Sequence, residues 1–363
     1  MVEQSSLRAD VIDSLRGWCL FAVCMINLWS FSGFRQRLEG GLVNGMEFWL
    51  YLAQSVWLDG KAYPIFAMLF GMGCGWLMKQ GSLFWWRRMA FLMGLGVLHL
   101  VFIWYGDILL VYACLGLLLW PMRNWRGSRL LLTGVILLSS KVWILMPLSI
   151  LIGEQHGAVQ ATQLGFSSPQ YLQIFQFNWE KLAFKWRYYV YLSRPGELLA
   201  MAMLGLWVQR QLNLVLVFCK RHWLGCWLLG SLLSVLVVYG QQSVAEFPPS
   251  LNLALLRSLH LPTPLLLAVG SLGALIHFTQ TRKTLLVTRH IGRMGLSVYI
   301  LQSLMAVGFF YGPYLNFHGQ LTLVEVSLFA VCTFGLQVGL AWLWLRLFKH
   351  GPLEWLWRRS SGH

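Results

Sequence analysis

The sequence is poor in charge. Only 11% of its 363 residues are charged, and the acidic side chains number 13 against 28 Lys and Arg. A soluble domain carries about a quarter charged residues, so this chain lacks the polar surface that would hold a folded domain in water. Paired cysteines are lacking too. All seven (19, 24, 74, 114, 219, 226 and 332) lie in or beside apolar stretches without metal-ligand spacing, which argues against a disulfide framework or a bound metal. No internal repeat, heptad run or low-complexity tract stands out. The net charge of +15 is scattered between apolar segments and forms no single patch, which excludes a nucleic-acid partner.

What is present is apolar and aromatic. Hydrophobic residues make up 57% of the chain, with 20 Trp and 12 Tyr, as befits a protein with two membrane interfaces where amphipathic rings collect. Each span needs roughly 20 apolar residues to cross ~30 Å of hydrocarbon. Apolar windows fall at about 17–34, 62–80, 88–106, 108–122, 130–151, 196–213, 222–240, 262–280, 291–312 and 322–348. A shorter piece, 48–58, is expected to lie along the outer interface or to extend the second helix. The first window follows Asp10, Asp13 and Arg16 and no small-x-small site follows it, so a retained helix is expected in place of a signal peptide. The fold expected is all-α: one integral membrane domain, 1–363, of about ten transmembrane helices in the lipid bilayer.

Positive charge sets the orientation. With the N-terminus inside, the segments on the cytoplasmic side hold 19 of the 28 Lys and Arg, the outer segments hold 8, and Lys141 falls within a span. Both termini are therefore expected in the cytoplasm. The one long loop, 153–194, is then outside. Its second half, 178–192, mixes aromatics with Lys181, Lys185 and Arg187; it reads either as an interfacial amphipathic helix or as a loop that caps the bundle.

An ionisable residue within hydrocarbon costs a few kcal/mol, roughly 2.5–3.5 at a helix centre, and so points to function. At ~1.5 Å rise per residue, Asn27, His99, Lys141 and Gln302 lie ~14–20 Å from the cytoplasmic ends of four helices. Asp107 closes the third helix on the outer side, while Asp13, Arg16 and Arg293 stand at the inner rim. Structural readings compete. Asn27 and Gln302 suit hydrogen bonds between helices, Asp13 and Arg16 suit a local i,i+3 ion pair, Lys141 suits snorkelling, and a lone His is often a packed one. Eight residues separate His99 from Asp107, ~12 Å along a continuous helix, so no direct pair is expected unless the chain turns sharply at Gly106.

Several stretches resemble a known family. Asp13-Ser14-Leu15-Arg16-Gly17 with Asn27 beyond it, Gly60-Lys61 followed by Leu69-Phe70-Gly71-Met72-Gly73, and Gly96 and His99 through Trp104-Tyr105-Gly106-Asp107 are similar to YeiB-like bacterial inner-membrane proteins. So is the C-terminal stretch within 285–358, from Gly292-Arg293-Met294-Gly295-Leu296-Ser297 through Tyr299, Gln302 and Phe310-Tyr311-Gly312 to Gly351-Pro352-Leu353-Glu354-Trp355-Leu356-Trp357-Arg358. The motifs cover about half the chain. The resemblance implies a multi-pass protein of the cell inner membrane. The Asp-x-x-Arg-Gly start also resembles the heparan-α-glucosaminide N-acetyltransferases and, more distantly, the membrane acyltransferase-three family. Those pass an acyl group from a cytoplasmic thioester to an acceptor at or beyond the membrane. They use a His after their first helix, and this chain has none between Asn27 and His99; it departs from that pattern, so either His99 does that work from another helix or the mechanism differs.

Two functions are expected to compete. In the first, an acyltransferase, Arg16, Arg87, Arg88 and Arg293 hold the phosphates of an acyl-CoA donor. His99 acts as general base on an extracytoplasmic acceptor, Asn27 and Lys141 stabilise the oxyanion, and Asp13, Asp107 and Gln302 are supporting polar groups. In the second, a transporter or lipid-handling protein binds its solute at the same polar layer.

Overall fold

The structure, a computed structural model, describes residues 2–39, 45–140, 172–179, 194–244, 262–278, 282–312 and 314–362. Among these residues every regular element is helical. In chain order they are α1 (Val2–Phe31), α2 (Phe34–Glu39), α3 (Met46–Trp57), α4 (Ala62–Leu77), α5 (Ser82–Leu98), α6 (Leu109–Leu119), α7 (Gly127–Ser140) and α8 (172–179). The second half adds α9 (Arg194–Arg210), α10 (Leu212–Val244), α11 (Pro262–Phe278), α12 (Arg282–Arg293), α13 (Gly295–Phe310), α14 (Leu323–Leu347) and α15 (Pro352–Ser360).

Each of the ten apolar windows overlaps one of these helices, the window at 130–151 only over its described part, 130–140. Four segments, Asp10–Phe31, Ser82–Ile103, Leu212–Gly240 and Leu323–Leu347, are long and apolar enough to cross a membrane; α12 and α13, bent by 92° at Met294, form a fifth if the pair is one span. The piece expected at 48–58 to lie along the outer interface or to extend the second helix is not part of α4. It is the separate helix α3, divided from α4 by a turn with Gly60 at positive φ. Trp57 of α3 donates to Ser231 of α10, and Gln54 donates to Ser327 of α14 while accepting from Trp29 of α1. Lys141 and most of the 153–194 loop lie outside the described residues, as does the expected interfacial helix beyond Trp179.

Without water to squeeze out between helices, association in lipid relies on close packing, and small residues let backbones approach. Two crossings show this. A Cβ on Gly71 of α4 would stand 2.0 Å from the Ala202 carbonyl oxygen of α9, and one on Gly205 of α9 would stand 2.0 Å from the Met68 carbonyl oxygen of α4. Gly75, one turn on from Gly71, meets Leu206 and Gln209. At the second crossing α1 lies on α12: Gly17 faces the Thr288 carbonyl and Gly292 faces that of Asp13, with Arg289 bonded to Asp10 at 2.8 Å. Gly71 and Gly75 of the Gly71-x-Gly73-x-Gly75 run therefore form a packing face, while Gly73 faces Arg16 and lines a cavity.

Replacing Gly205 by Leu forces α4 and α9 apart, at a cost of about 3 kcal/mol or more. The variant is expected to melt well below wild type in detergent. Gly335→Leu, at a position open around the missing Cβ, is expected to leave the melting temperature unchanged.

Candidate functional site

The site begins where α5 fails. Its last residues, His99–Ile103, form a π-helical turn in which Trp104 N–H donates to the His99 carbonyl at 2.8 Å, and Trp104 then adopts extended backbone. The chain reverses at Gly106, where a Cβ would stand 2.2 Å from the Trp104 indole; only glycine lets the ring fold beneath the turn. α6 returns tightly against α5, with Gly96 facing the backbone of Leu110. The reversal overturns the expected ~12 Å separation. His99 Nδ1 lies 3.1 Å from Asp107 Oδ1, and both side chains are fully buried.

Asp107 has a second task. Its Oδ2 accepts from Leu110 N–H at 2.7 Å, the capping contact that a helix start requires, while the Tyr299 hydroxyl accepts from Ile108 N–H at 3.3 Å. The Tyr299 ring lies 5.1 Å from that of His99. Both ring nitrogens of His99 are buried without a hydrogen-bond partner among the described residues, so the approach of Nδ1 to Asp107 is a close contact outside hydrogen-bond geometry. On the other side of the turn, Asn178 of α8 accepts from Tyr105 N–H and donates to the Val101 carbonyl.

Tyr299 is also the inner wall of a cavity of about 500 Å³. The mouth is cationic: Arg16, Arg88, Arg293, Lys349 and Arg358 line it with His350, while Phe66, Phe70, Leu92, Ile108 and Tyr112 line the deeper part. Its two carboxylates are already engaged. Asp13 pairs with Arg16 at 2.8 Å. Glu354 accepts from Leu296 N–H at 2.7 Å and Ser297 N–H at 3.1 Å, capping α13 where the bend at Met294 exposes its first amides. Arg88, 5% exposed, has no carboxylate within ion-pair distance among the described residues. Its guanidinium lies over Phe84 at 4.7 Å and Trp357 at 4.1 Å. The crowding is felt at His350, whose proton affinity falls below the usual imidazole range through burial and then through Arg358, Arg293 and Lys349.

Of the residues expected from sequence, Asp13, Arg16, Arg88 and Arg293 thus share one cavity, and His99 and Asp107 form one pair behind its wall. Arg87 is not in the cavity lining; it lies near Gly362. Asn27 accepts from the Tyr63 hydroxyl. Gln302 donates to Gln337 at 3.1 Å and to the Leu20 carbonyl at 3.4 Å, bonds between helices. Lys349, His350, Glu354 and Arg358 are additions to the expected site, although Tyr299, Glu354 and Arg358 lie within the C-terminal motif. Lys61 is a further unexpected buried cation. It donates to the Ser55 carbonyl, and burial pushes its ammonium down to about 8 against the opposing pull of Asp59.

Fold and site together define a helical bundle of membrane type with a cation-mouthed cavity ending beside a buried His–Asp pair. Residues 211–362 match the DUF418 family, whose description is a protein of unknown function. The chain is 25% identical to uncharacterized protein YxaH of Bacillus subtilis, over 98% of this chain and 94% of the relative. It is 24% identical to uncharacterized protein YeiB of Escherichia coli, over 98% and 96%. An uncharacterized 39.9 kDa protein of Bacillus acidopullulyticus is 25% identical over 98% and 94%. Along its length the chain is similar to YeiB and YxaH, and over residues 211–362 it is similar to the DUF418 family. None of these names states an activity. No solved structure matches the chain.

Removing one member of a buried polar pair leaves the other without its partner, typically at about 1–3 kcal/mol. Asp107→Ala is expected to destabilise the protein strongly, and His99→Ala in the same chain to recover part of that loss. Melting of the two single variants and the double variant in detergent measures the coupling. A second outcome concerns pH. His350 is neutral at pH 7 because its proton affinity is depressed; an anion in the cavity offsets the surrounding cations and restores that affinity. Pyrophosphate binding is therefore expected to tighten as pH falls from ~7.5 to ~5.5, across the imidazole range, and His350→Gln to flatten the dependence, as read by calorimetry.

Proposed function

We propose that this chain is a membrane acyltransferase that takes an acyl group from a cytoplasmic acyl-CoA thioester and delivers it to an acceptor reaching the site from the outer side. The reading includes ten membrane-crossing helical segments with the cation-rich end in the cytoplasm, following the bias of Lys and Arg. One observation carries it: a single cavity joins five cationic side chains at its mouth to an apolar, aromatic interior that ends at Tyr299, beside His99 and Asp107. A ligand that suits this shape has a polyanionic head and a slender, less polar arm. Arg16, Arg88, Arg293 and Arg358 receive the phosphates, as guanidinium groups suit phosphate oxygens. His99 lies eleven residues beyond Arg88, ~16 Å along α5, at the depth where the arm would end.

In this scheme His99 Nε2 takes the proton from the acceptor hydroxyl or amine as its heteroatom bonds to the thioester carbonyl carbon. Asp107 stabilises the imidazolium, a role a buried carboxylate performs without taking the proton itself. The C–S bond then breaks, and the departing thiolate receives the proton from His99. Tyr299 stands between cavity and imidazole, so its side chain turns aside when the donor arm arrives.

A transporter reading is favoured by one feature. Helices break on both sides of the cavity, at Trp104 and at Met294, and discontinuous helices are typical of carriers. Acetyl-CoA binding to the purified protein separates the two. Wild type is expected to bind saturably, Arg88→Gln and Arg293→Ala to weaken binding about tenfold or more, and His99→Ala to bind normally but transfer no acetyl group. Absence of binding by folded protein, with solute uptake by inside-out vesicles independent of acyl-CoA, sinks the transferase reading in favour of transport.

A further inference from the structure

The C-terminal helix carries two different faces. Leu353, Glu354, Trp357 and Ser361 recur at helical spacing and point inward. Ser297 Oγ accepts from Leu353 N–H, Glu354 caps α13, and Trp357 Nε1 donates to the Arg88 carbonyl. The opposite face bears Trp355, Leu356, Arg358 and Arg359, all exposed. Between that face and the end of α14 is a second, open cavity of about 380 Å³, lined by His350, Trp355, Arg358 and Arg359. No carboxylate lines it.

Its surroundings are apolar and equally uncovered. Leu347 is 73% exposed, Phe348 51%, and Trp342 and Leu356 are exposed beside them. An exposed apolar collar around a cationic niche is unfavourable in water and ordinary at the boundary between hydrocarbon and headgroups, where Trp rings and Arg side chains anchor a helix. One guanidinium of the niche rests on an indole face: Arg359 lies 5.3 Å from the Trp355 centroid, as Arg346, outside the niche, lies 3.5 Å from that of Trp342. Neither Arg358 nor Arg359 has an ion-pair partner among the described residues. They present donors without a carboxylate beside them.

We infer that this niche binds the phosphate of an anionic phospholipid, with Arg358 and Arg359 on the phosphate oxygens, Trp355 at the glycerol level and the acyl chains along Leu347 and Phe348. The site is separate from the proposed donor cavity in its lipid-facing residues, since Trp355 and Arg359 line only the niche. It shares Arg358 and His350 with the cavity. A bound lipid phosphate therefore lowers the positive potential at the cavity mouth, linking lipid composition to the affinity for a soluble polyanion.

The test uses the full chain in nanodiscs of phosphatidylcholine with or without phosphatidylglycerol, released and weighed by native mass spectrometry. Wild type is expected to retain one phosphatidylglycerol in preference to phosphatidylcholine. Arg359→Gln should reduce that preference roughly fivefold, the effect expected of one basic side chain at an anionic surface, and Trp355→Ala should reduce it as well. Both variants should keep their acetyl-CoA affinity in phosphatidylcholine alone, so the result does not depend on the donor site. Equal retention of the two lipids, or retention unaltered in both variants, overturns the inference. Displacement of the lipid by millimolar inorganic phosphate also overturns it, since it identifies a site for a free anion.

Discussion

A helix that ends inside an apolar bundle leaves amide and carbonyl groups with no water to receive them, and each must find a partner within the protein. That constraint organises the interior of this molecule. At the reversal between α5 and α6 the partners are Asp107, Tyr299 and Asn178, drawn from the turn itself, from α13 and from α8. At the bend between α12 and α13 the partner is Glu354, from the last helix. The polar side chains that make up the candidate site are thus largely those demanded by two interrupted helices. Asp107 serves its own helix with one oxygen and faces His99 with the other. A structural debt at the backbone and a chemically useful juxtaposition are met by the same carboxylate.

The cavity follows from the same interruptions. A straight helix through residues 287–310 would have filled the space against α1 and α4; the turn of 92° instead leaves room that Arg16, Arg88 and Arg293 enter from three helices. Their mutual repulsion is eased by Asp13, which pairs with Arg16, and by the aromatic faces of Phe84 and Trp357, on which Arg88 lies. The arrangement holds positive potential in readiness for an anion, which is the general condition for electrostatic recognition in a partly dry site.

Much of this was legible in the sequence, but unevenly. Apolar windows located the helices because burial in hydrocarbon leaves no other reading of such runs, and the recurrence of Arg and Lys between them already placed Arg16, Arg88 and Arg293 on one side. The packing role of Gly71 and Gly75 was visible from their spacing. The His99–Asp107 pair was not, since depth was measured along a helix assumed to be continuous. The signal was present in Trp104-Tyr105-Gly106, where a bulky indole two residues before a glycine marks a reversal, yet sequence alone gives a turn no direction. As charges, Lys349 and Arg358 count only toward topology in the sequence, and His350 is one histidine among several near helix ends, because nothing in a one-dimensional pattern tells which rim groups converge. Arg87, adjacent to Arg88, shows the limit from the other side: two neighbouring arginines on a helix point 100° apart, and only one lines the cavity.

The pairing of Asp13 with Arg16 bears on how the molecule is made. The contacts that seat α1 on α12, including Asp10 with Arg289, join residues 279 positions apart, so the first helix is synthesised long before its partner exists. An isolated charge near the end of that helix would oppose its entry into a bilayer. Joined one turn apart at 2.8 Å, the carboxylate and guanidinium form a compact neutral unit from the outset. The first helix can therefore settle in the membrane alone and wait, with Gly17 left bare, as the landing place for a segment that emerges only when four-fifths of the chain has been translated.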